Sequence, residues 1–296
     1  MAEIAVTIVG NNLNAALENN AAKIIRALGT DGLRIDKLHP GYAIDILVKS
    51  GSPALTELLR NKLKDLGSFD IFIQDNDPFR KKKLLIADMD ATIIRQETLD
   101  ELATHLGIHE KISKITEKAM SGELDFSEAL RQRVKMLTGL PLAALAKTLD
   151  HLEYSAGAVA IAKTMARQAA KCMLVSGGFE FFTVPVAEKI GFVRSFGNRL
   201  EIRDGKLTGE IAPPIIDKSA KEQIVVSQAR ALGIPLRSVM AVGDGANDVA
   251  MLQKAGTGVG YFGKPAVIEA TPHQIRHTNL VSLLYMQGYR KEELAL

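Results

Sequence analysis

Four short apolar runs, LLIAD (84–88), MLVSGG (173–178), VMAVGDG (239–245) and TGVGY (257–261), each stop at small or polar residues. Segments of helical spacing separate them. Strands alternating with helices imply a parallel sheet covered by helices on both faces. In such a sheet the ligand sits beyond the carboxyl ends of the strands, so the polar groups at these four ends are expected to converge. The chain has 296 residues, enough for about two domains. Its apolar fraction of 47% and charged fraction of 24% are those of a globular protein with a full core.

The rest of the composition mainly excludes. Cys172 is the only cysteine, so no internal disulfide forms, which fits a reducing compartment. The net charge of +3 gives no bias toward nucleic acid or a membrane surface. No Lys or Arg precedes Lys23, so the basic start of a signal peptide is missing. No apolar stretch is long enough to span a bilayer. The expectation is a cytoplasmic protein without a nucleic-acid or membrane partner.

Residues 1–76 read β-α-β-β-α-β, the split βαβ or ferredoxin-like order. Strand-like runs at Glu3–Val9, Gly32–Lys37, Tyr42–Val48 and Phe69–Ile73 flank helical spacing at Leu13–Leu28 and Pro53–Leu66. A linker over 77–83 follows, in which Arg80–Lys83 is a run of four basic residues. At such a joint a charge run reads as solvated surface rather than a nucleic-acid or localisation patch. The third segment is 84–296. Within it, residues 97–153 contain no clear strand but three helical stretches, Leu99–Leu106, Ile112–Met120 and Phe126–Leu137. They read as an inserted cap over the strand ends. A second insert, about 198–211, reads as a hairpin turning at Asp204-Gly205.

The densest chemical signal is Asp88-Met89-Asp90-Ala91-Thr92. Two carboxylates at one strand end repel, so one holds a proton or both need a cation. Gly243-Asp244-Gly245-Ala246-Asn247-Asp248 places a second acidic cluster at another strand end. If the clusters meet, their oxygens suit Mg²⁺, especially with phosphate as co-ligand. Ser176-Gly177-Gly178 offers donors to an anion at a third strand end, and Lys221 could add positive charge. A carboxylate nucleophile, amide and hydroxyl donors, a lysine and Mg²⁺ together handle phosphoryl transfer.

The order DxDxT, SGG, Lys, GDGxND resembles that of the haloacid dehalogenase-like phosphohydrolases, and most closely the phosphoserine phosphatases among them. AMSGELDFSEALRQRVKMLTGL (119–140) resembles their cap; VSGGFEFF, FGNRLEIRDGKLTGEI and AVGDGANDVAML resemble their core. The resemblance covers about 84–290. It implies a Rossmann-like α/β fold with a helical cap and a small hairpin cap. It also implies hydrolysis of O-phospho-L-serine to L-serine and phosphate, the final step of serine biosynthesis. By position, Asp88 becomes an aspartyl-phosphate, and Asp90 protonates the leaving oxygen and then activates water. Asp88, the backbone carbonyl of Asp90, and Asp244 bind Mg²⁺, with Asp248 supporting them. Ser176, Gly177 and Asn247 contact the phosphoryl group, and Lys221 compensates its charge. Glu97 faces the substrate ammonium and Arg133 its carboxylate, a grip that suits two parallel hydrogen bonds. The family usually has Ser where this chain has Ala91, so one hydrogen bond is lost.

Read without the resemblance, Arg133 is a solvated helix residue and Glu97 a helix N-terminal charge. Cys172 reads as a buried strand residue, and His273 and His277 as surface or helix-face residues despite their spacing. Gly258–Lys264 reads G-x-x-x-x-G-K, but Pro265 replaces the Ser or Thr of a nucleotide loop. Residues 1–76 fit the small ACT-type domains, with Gly10-Asn11-Asn12 at their ligand loop. A scaffold or homodimerisation module is the plainer reading of this segment. Two other functions compete: phosphoryl transfer to or from another small molecule, for instance with homoserine as acceptor, and an amino-acid-binding regulator. Intact Asp88, Asp90, Lys221 and Asp244 argue against the second.

Overall fold

The computed structural model describes residues 3–30, 32–49, 53–121 and 123–296. Positions 1, 2, 31, 50–52 and 122 of the segments read above lie outside the described residues.

The N-terminal part is β1 (Glu3–Val9), α1 (Ala15–Arg26), β2 (Leu33–His39), β3 (Ala43–Lys49), α2 (Pro53–Leu63) and β4 (Asp70–Asp75). Its sheet is antiparallel in the order β2-β3-β1-β4, so the expected split βαβ arrangement forms. Asn14 caps α1 by accepting a hydrogen bond from the Leu17 N–H at 3.1 Å. Ile4, Val6 and Ile8 of β1 pack with Ala21 and Ile25 of α1 and Leu59 and Leu63 of α2. The opposite face is also covered. Val9, Ala43 and Phe72 join the core of the remaining chain. Burial on both faces explains why β1 and β3 are nearly continuous apolar runs.

The polar exceptions on that second face, Thr7 and Asp45, are cross-strand partners hydrogen-bonded at 2.7 Å. Arg80 reaches them: its Nη2 is 2.8 Å from Asp45 and 3.0 Å from Thr7 Oγ1, and its Nε donates to the Met286 carbonyl. Lys82 donates to the Arg237 carbonyl at 2.9 Å. Both side chains are buried. The expectation of a solvated basic run is thus corrected for Arg80 and Lys82. The joint is an interface, and a buried cation is kept charged there by a carboxylate and carbonyls.

The larger part begins with β5 (Leu84–Ala87), α3 (Thr98–Thr104), α4 (His109–Ser121), α5 (Phe126–Met136), α6 (Leu142–Asp150) and α7 (Ala158–Arg167). It continues with β6 (Lys171–Phe179), α8 (Glu180–Ile190), β7 (Arg194–Arg203), β8 (Lys206–Ala212) and α9 (Lys218–Ala231). It ends with β9 (Val239–Gly243), α10 (Val249–Lys254), β10 (Thr257–Tyr261), α11 (Pro265–Ala270), β11 (His273–Ile275) and α12 (Ser282–Met286). The sheet order is β11-β10-β9-β5-β6-β7-β8, parallel except for the antiparallel β7–β8 hairpin. Strand order reverses at β5, which lies between β6 and β9. A crevice opens at such a switch point, and Asp88 is the next residue.

Helices α3–α6 leave the sheet together. Their base is pinned by an antiparallel bridge between Ile94 and Tyr154 and by the Arg95 N–H donating to the Glu153 carbonyl at 2.9 Å. Among the described residues four helices stand here, not three. The nine-residue α6 is short and is preceded by Pro141 at its N-cap, so its Leu142, Leu145 and Leu149 spacing is easily missed. The β7–β8 hairpin turns at Asp204 and Gly205 with φ of 51° and 72°, the positive values a two-residue primed turn needs.

His273 corrects a second expectation. It is buried in β11 against Phe72, with ring centroids 6.2 Å apart, and its Nδ1 has no partner. Burial, with Arg60 and Lys82 nearby, holds its pKa down at about 3 rather than 6.5. The folded chain therefore binds this proton more weakly than the unfolded chain. The contribution is intact above about pH 6.5 and lost as pH falls, by about 2 kcal/mol at pH 5. Denaturant unfolding of His273→Leu is expected to lose correspondingly less stability than the parent between pH 7 and pH 5. Equal losses in the two proteins would exclude His273 as the group responsible.

Candidate active site

Asp88 and Asp90 sit on an irregular turn that leaves β5. Asp90 is extended and Ala91 is left-handed, with φ of 52°. A non-glycine residue in that region is strained, and the surrounding bonds hold it there. The Ala91 N–H donates to the Gln96 carbonyl at 3.1 Å, and the Asp88 N–H to the Val242 carbonyl at 3.0 Å. The turn sends both carboxylates into the crevice, where both are buried.

Lys221, fully buried on α9, donates to Asp88 at 2.7 Å and to Asp248 at 2.6 Å. Asp248 also accepts from the N–H groups of Asp244 at 3.2 Å and Gly245 at 3.1 Å. Its carboxylate fits only because residue 243 is glycine. A Cβ there would stand 2.5 Å from an Asp248 oxygen. Oxygens of Asp88, Asp244 and Asp248 all lie within 4.8 Å of one another.

The third strand end folds back on itself. The Gly178 N–H donates to Ser176 Oγ at 2.8 Å, and a Cβ on Gly178 would stand 2.7 Å from Asp90. Asn198 on β7 braces this turn. It donates to the Gly177 carbonyl at 2.8 Å and accepts from the Ile216 N–H at 2.7 Å.

The cap closes the space. Phe126 lies so near Gly177 that a Cβ there would meet its Cζ at 2.4 Å. Arg133 is buried rather than solvated, which corrects the reading made without the resemblance. Its Nη1 donates to Thr116 Oγ1 at 2.9 Å and its Nε to the Ala129 carbonyl at 3.1 Å. Asp88, Asp90, Glu97, Arg133, Ser176, Gly177 and Asn247 all line one cavity. Asn247 Oδ1 is buried there without a partner among the described residues.

Two residues of this neighbourhood escape sequence reasoning. One is Asn198. The other is Lys264, whose Nζ lies 3.0 Å from Asp244 and 3.2 Å from Glu97. The sequence marked it only as the lysine of the G-x-x-x-x-G-K run just beyond the fourth strand end, a run set aside because Pro265 follows it.

The electrostatics follow from crowding. Burial first, then Glu97 and Asp88, raise the pKa of Asp90 well above the carboxylate range, against a hydrogen bond from the Thr98 N–H. Burial and Asp248 push Asp88 up to about 8, with Lys221 opposing. Burial also pushes Asp244 up to about 7, against the pull of Lys264. Burial works against the charge of Lys221, but Asp248 and Asp88 outweigh it and raise its pKa. Five carboxylates (Asp88, Asp90, Glu97, Asp244, Asp248) thus face three cations (Lys221, Lys264, Arg133) among the described residues. Carboxyl oxygens in excess of the cations that face them fit a hard divalent cation. A carboxyl that keeps its proton beside one paired with a lysine can serve as an acid next to a nucleophile.

A family model described as haloacid dehalogenase-like hydrolase matches residues 85–253. The phosphoserine phosphatase of Archaeoglobus fulgidus is 40% identical over 245 residues, 81% of this chain and 71% of that one. That of Saccharomyces cerevisiae is 32% identical over 305 aligned positions, 99% of each chain. A crystal structure of a HAD family hydrolase from Salmonella enterica serovar Typhi superposes with a TM-score of 0.83 at 32% identity, covering 96% of this chain and 98% of that one. Among the described residues, no helix is long and apolar enough to cross a membrane.

Proposed function

The chain belongs to the haloacid dehalogenase-like hydrolases, among the phosphoserine phosphatases, and from that premise we propose that it hydrolyses O-phospho-L-serine to L-serine and phosphate with Mg²⁺ as cofactor. The observation that carries the substrate is the placement of Glu97 and Arg133 in the same closed cavity as Asp88 and Asp90. An ammonium and a carboxylate on one small phosphomonoester match those two side chains.

Asp88 attacks phosphorus as the nucleophile. A bond forms between its carboxylate oxygen and phosphorus while the bond from phosphorus to the serine oxygen breaks. Asp90, held protonated by its surroundings, gives its proton to the leaving oxygen. Serine departs and Asp90 is left ionised. It then takes a proton from water, which attacks the phosphoaspartate and releases phosphate, restoring both residues. Lys221 holds Asp88 in place throughout. The Ser176 hydroxyl, the Gly177 backbone N–H and the Asn247 side-chain amide N–H donate to the phosphoryl oxygens. Asp88, Asp244 and the backbone carbonyl of Asp90 would hold the Mg²⁺, with Asp248 fixing the Asp244 loop behind them. Bound there, the ion supplies positive charge against the transferring phosphoryl group.

In this reading residues 3–75 act as a scaffold, because both faces of their sheet are covered within this chain.

Phosphate release from O-phospho-L-serine, with Mg²⁺ and with excess chelator, tests the reaction. Release from other esters but not from phosphoserine would overturn the substrate. Arg133→Ala tests the recognition. It is expected to lower kcat/KM for phosphoserine by about 10²-fold, the worth of a charge-assisted pair. Turnover of p-nitrophenyl phosphate, which has no carboxylate, should change far less. Equal losses on both substrates would remove Arg133 from carboxylate recognition.

A further inference from the structure

A second cleft, of about 330 Å³, lies where the N-terminal sheet meets the β11 side of the larger part, and it shares no residue with the active-site cavity. Arg60 and Lys64 of α2 line one side, and Arg276 and His277 line the other. The floor is apolar, built by Ile71 and Ile73 of β4 with Ile268 and Pro272 opposite. Asp70 is the one acidic residue among the lining residues, and its charge is already engaged. It accepts from the N–H groups of Arg276, His277 and Thr278 at 2.8, 3.1 and 3.0 Å, and from the Thr278 hydroxyl.

The cations around it have no such partner. Among the described residues the side chains of Arg60, Lys64 and Arg276 make no hydrogen bond or ion pair, and Arg60 is half-buried. The one charge that steadies Arg60 among the described residues is Glu57, on its own helix. Arg60 also acts on His273, which is buried beside this cleft. Arg60 is the largest charged contribution, after burial itself, to the weak proton binding of that side chain.

We propose that this cleft binds a small organic anion carrying two or more acidic groups, bridging α2 of the N-terminal part and the loop after β11. Its acidic groups meet Arg60 and Arg276 from opposite sides, and its carbon skeleton covers the isoleucine floor. The volume is at the lower end for small-molecule sites and admits a di- or tricarboxylate or a phosphorylated acid of similar size. Carboxylate and phosphate share this chemistry.

The test is titration calorimetry on the full chain at low ionic strength, after metal is removed on a chelating resin. The two probes are tricarballylate for carboxylates and 3-phosphoglycerate for phosphates. At least one is expected to bind at a Kd of about 1 mM or below. Arg60→Gln/Arg276→Gln is expected to weaken that binding about tenfold or more, and each single change about threefold, in proteins whose circular dichroism is unchanged. Both side chains reach solvent, so the single variants keep the test open if the double variant fails to fold. Ser176→Ala, which alters only the active site, should leave the binding as it was. The proposal is overturned if neither probe binds, if the double variant binds as the parent does, or if the affinity is lost with Ser176→Ala instead.

Discussion

Asp88→Asn is expected to reduce phosphoserine turnover by about 10⁵-fold or more while the protein stays folded. The exchange keeps the shape of the side chain and removes the charge that attacks phosphorus. Lys221 retains Asp248 at 2.6 Å, so the lysine is not left buried without a counter-charge. Burial and Asp248 already push the pKa of Asp88 up to about 8 against Lys221, so a neutral amide relieves repulsion at that point. Unfolding free energy should therefore move by no more than about 1–2 kcal/mol, in contrast to the activity. Rapid acid quenching with ³²P-labelled phosphoserine should trap label on the parent protein and none on the variant. Turnover within tenfold of the parent, or label retained by the variant, would remove Asp88 from the nucleophile's role. The same quench made after chelation separates loss of the metal from loss of the nucleophile.

The parts of this site legible in the sequence are those that lie next to one another along it. Asp88 and Asp90, Ser176 with its two glycines, and Asp244 with Asp248 each follow an apolar run. A parallel sheet gathers such strand ends at one edge whatever the loops between them do. Lys264 and Asn198 carry no such local mark. Their roles arise from approaches to Asp244, Glu97 and the Gly177 carbonyl, which lie 20, 167 and 21 residues away. The solvated reading of Lys82, and of Arg133 when taken without the resemblance, failed for a different reason. Charged neighbours make a position look solvated, and only tertiary packing shows that Thr116 and the Arg237 carbonyl wait for these cations. The N-terminal topology was legible from strand and helix periods alone. That its second face is covered by the rest of the chain was hinted at by Thr7 and Asp45. They break otherwise apolar strands, and that break reflects the arginine that meets them.

That arginine carries the largest expected effect on stability. Arg80→Met is expected to lose about 3–5 kcal/mol, the usual penalty for leaving one member of a buried ion pair alone. Burial already pushes Asp45 above the ordinary carboxylate range, with Arg80 and Thr7 pulling the other way. Without Arg80 its pKa rises further. A folded-state pKa above the unfolded one favours folding only while the group is protonated, so the deficit should shrink as pH falls from 7 toward 4. Arg80 also donates to Asn76 and to the Met286 carbonyl, which tie the joint to α12. The same change should therefore loosen the two parts from each other, and the N-terminal part should unfold at lower denaturant than the rest. Adding Asp45→Asn removes the stranded charge. The double variant should recover about 2 kcal/mol of the loss, a coupling that independent sites would not show. Chemical denaturation at pH 7 and pH 5 measures each of these. A loss below about 1 kcal/mol, or strictly additive effects of the two changes, would mean that solvent and not Asp45 neutralises Arg80.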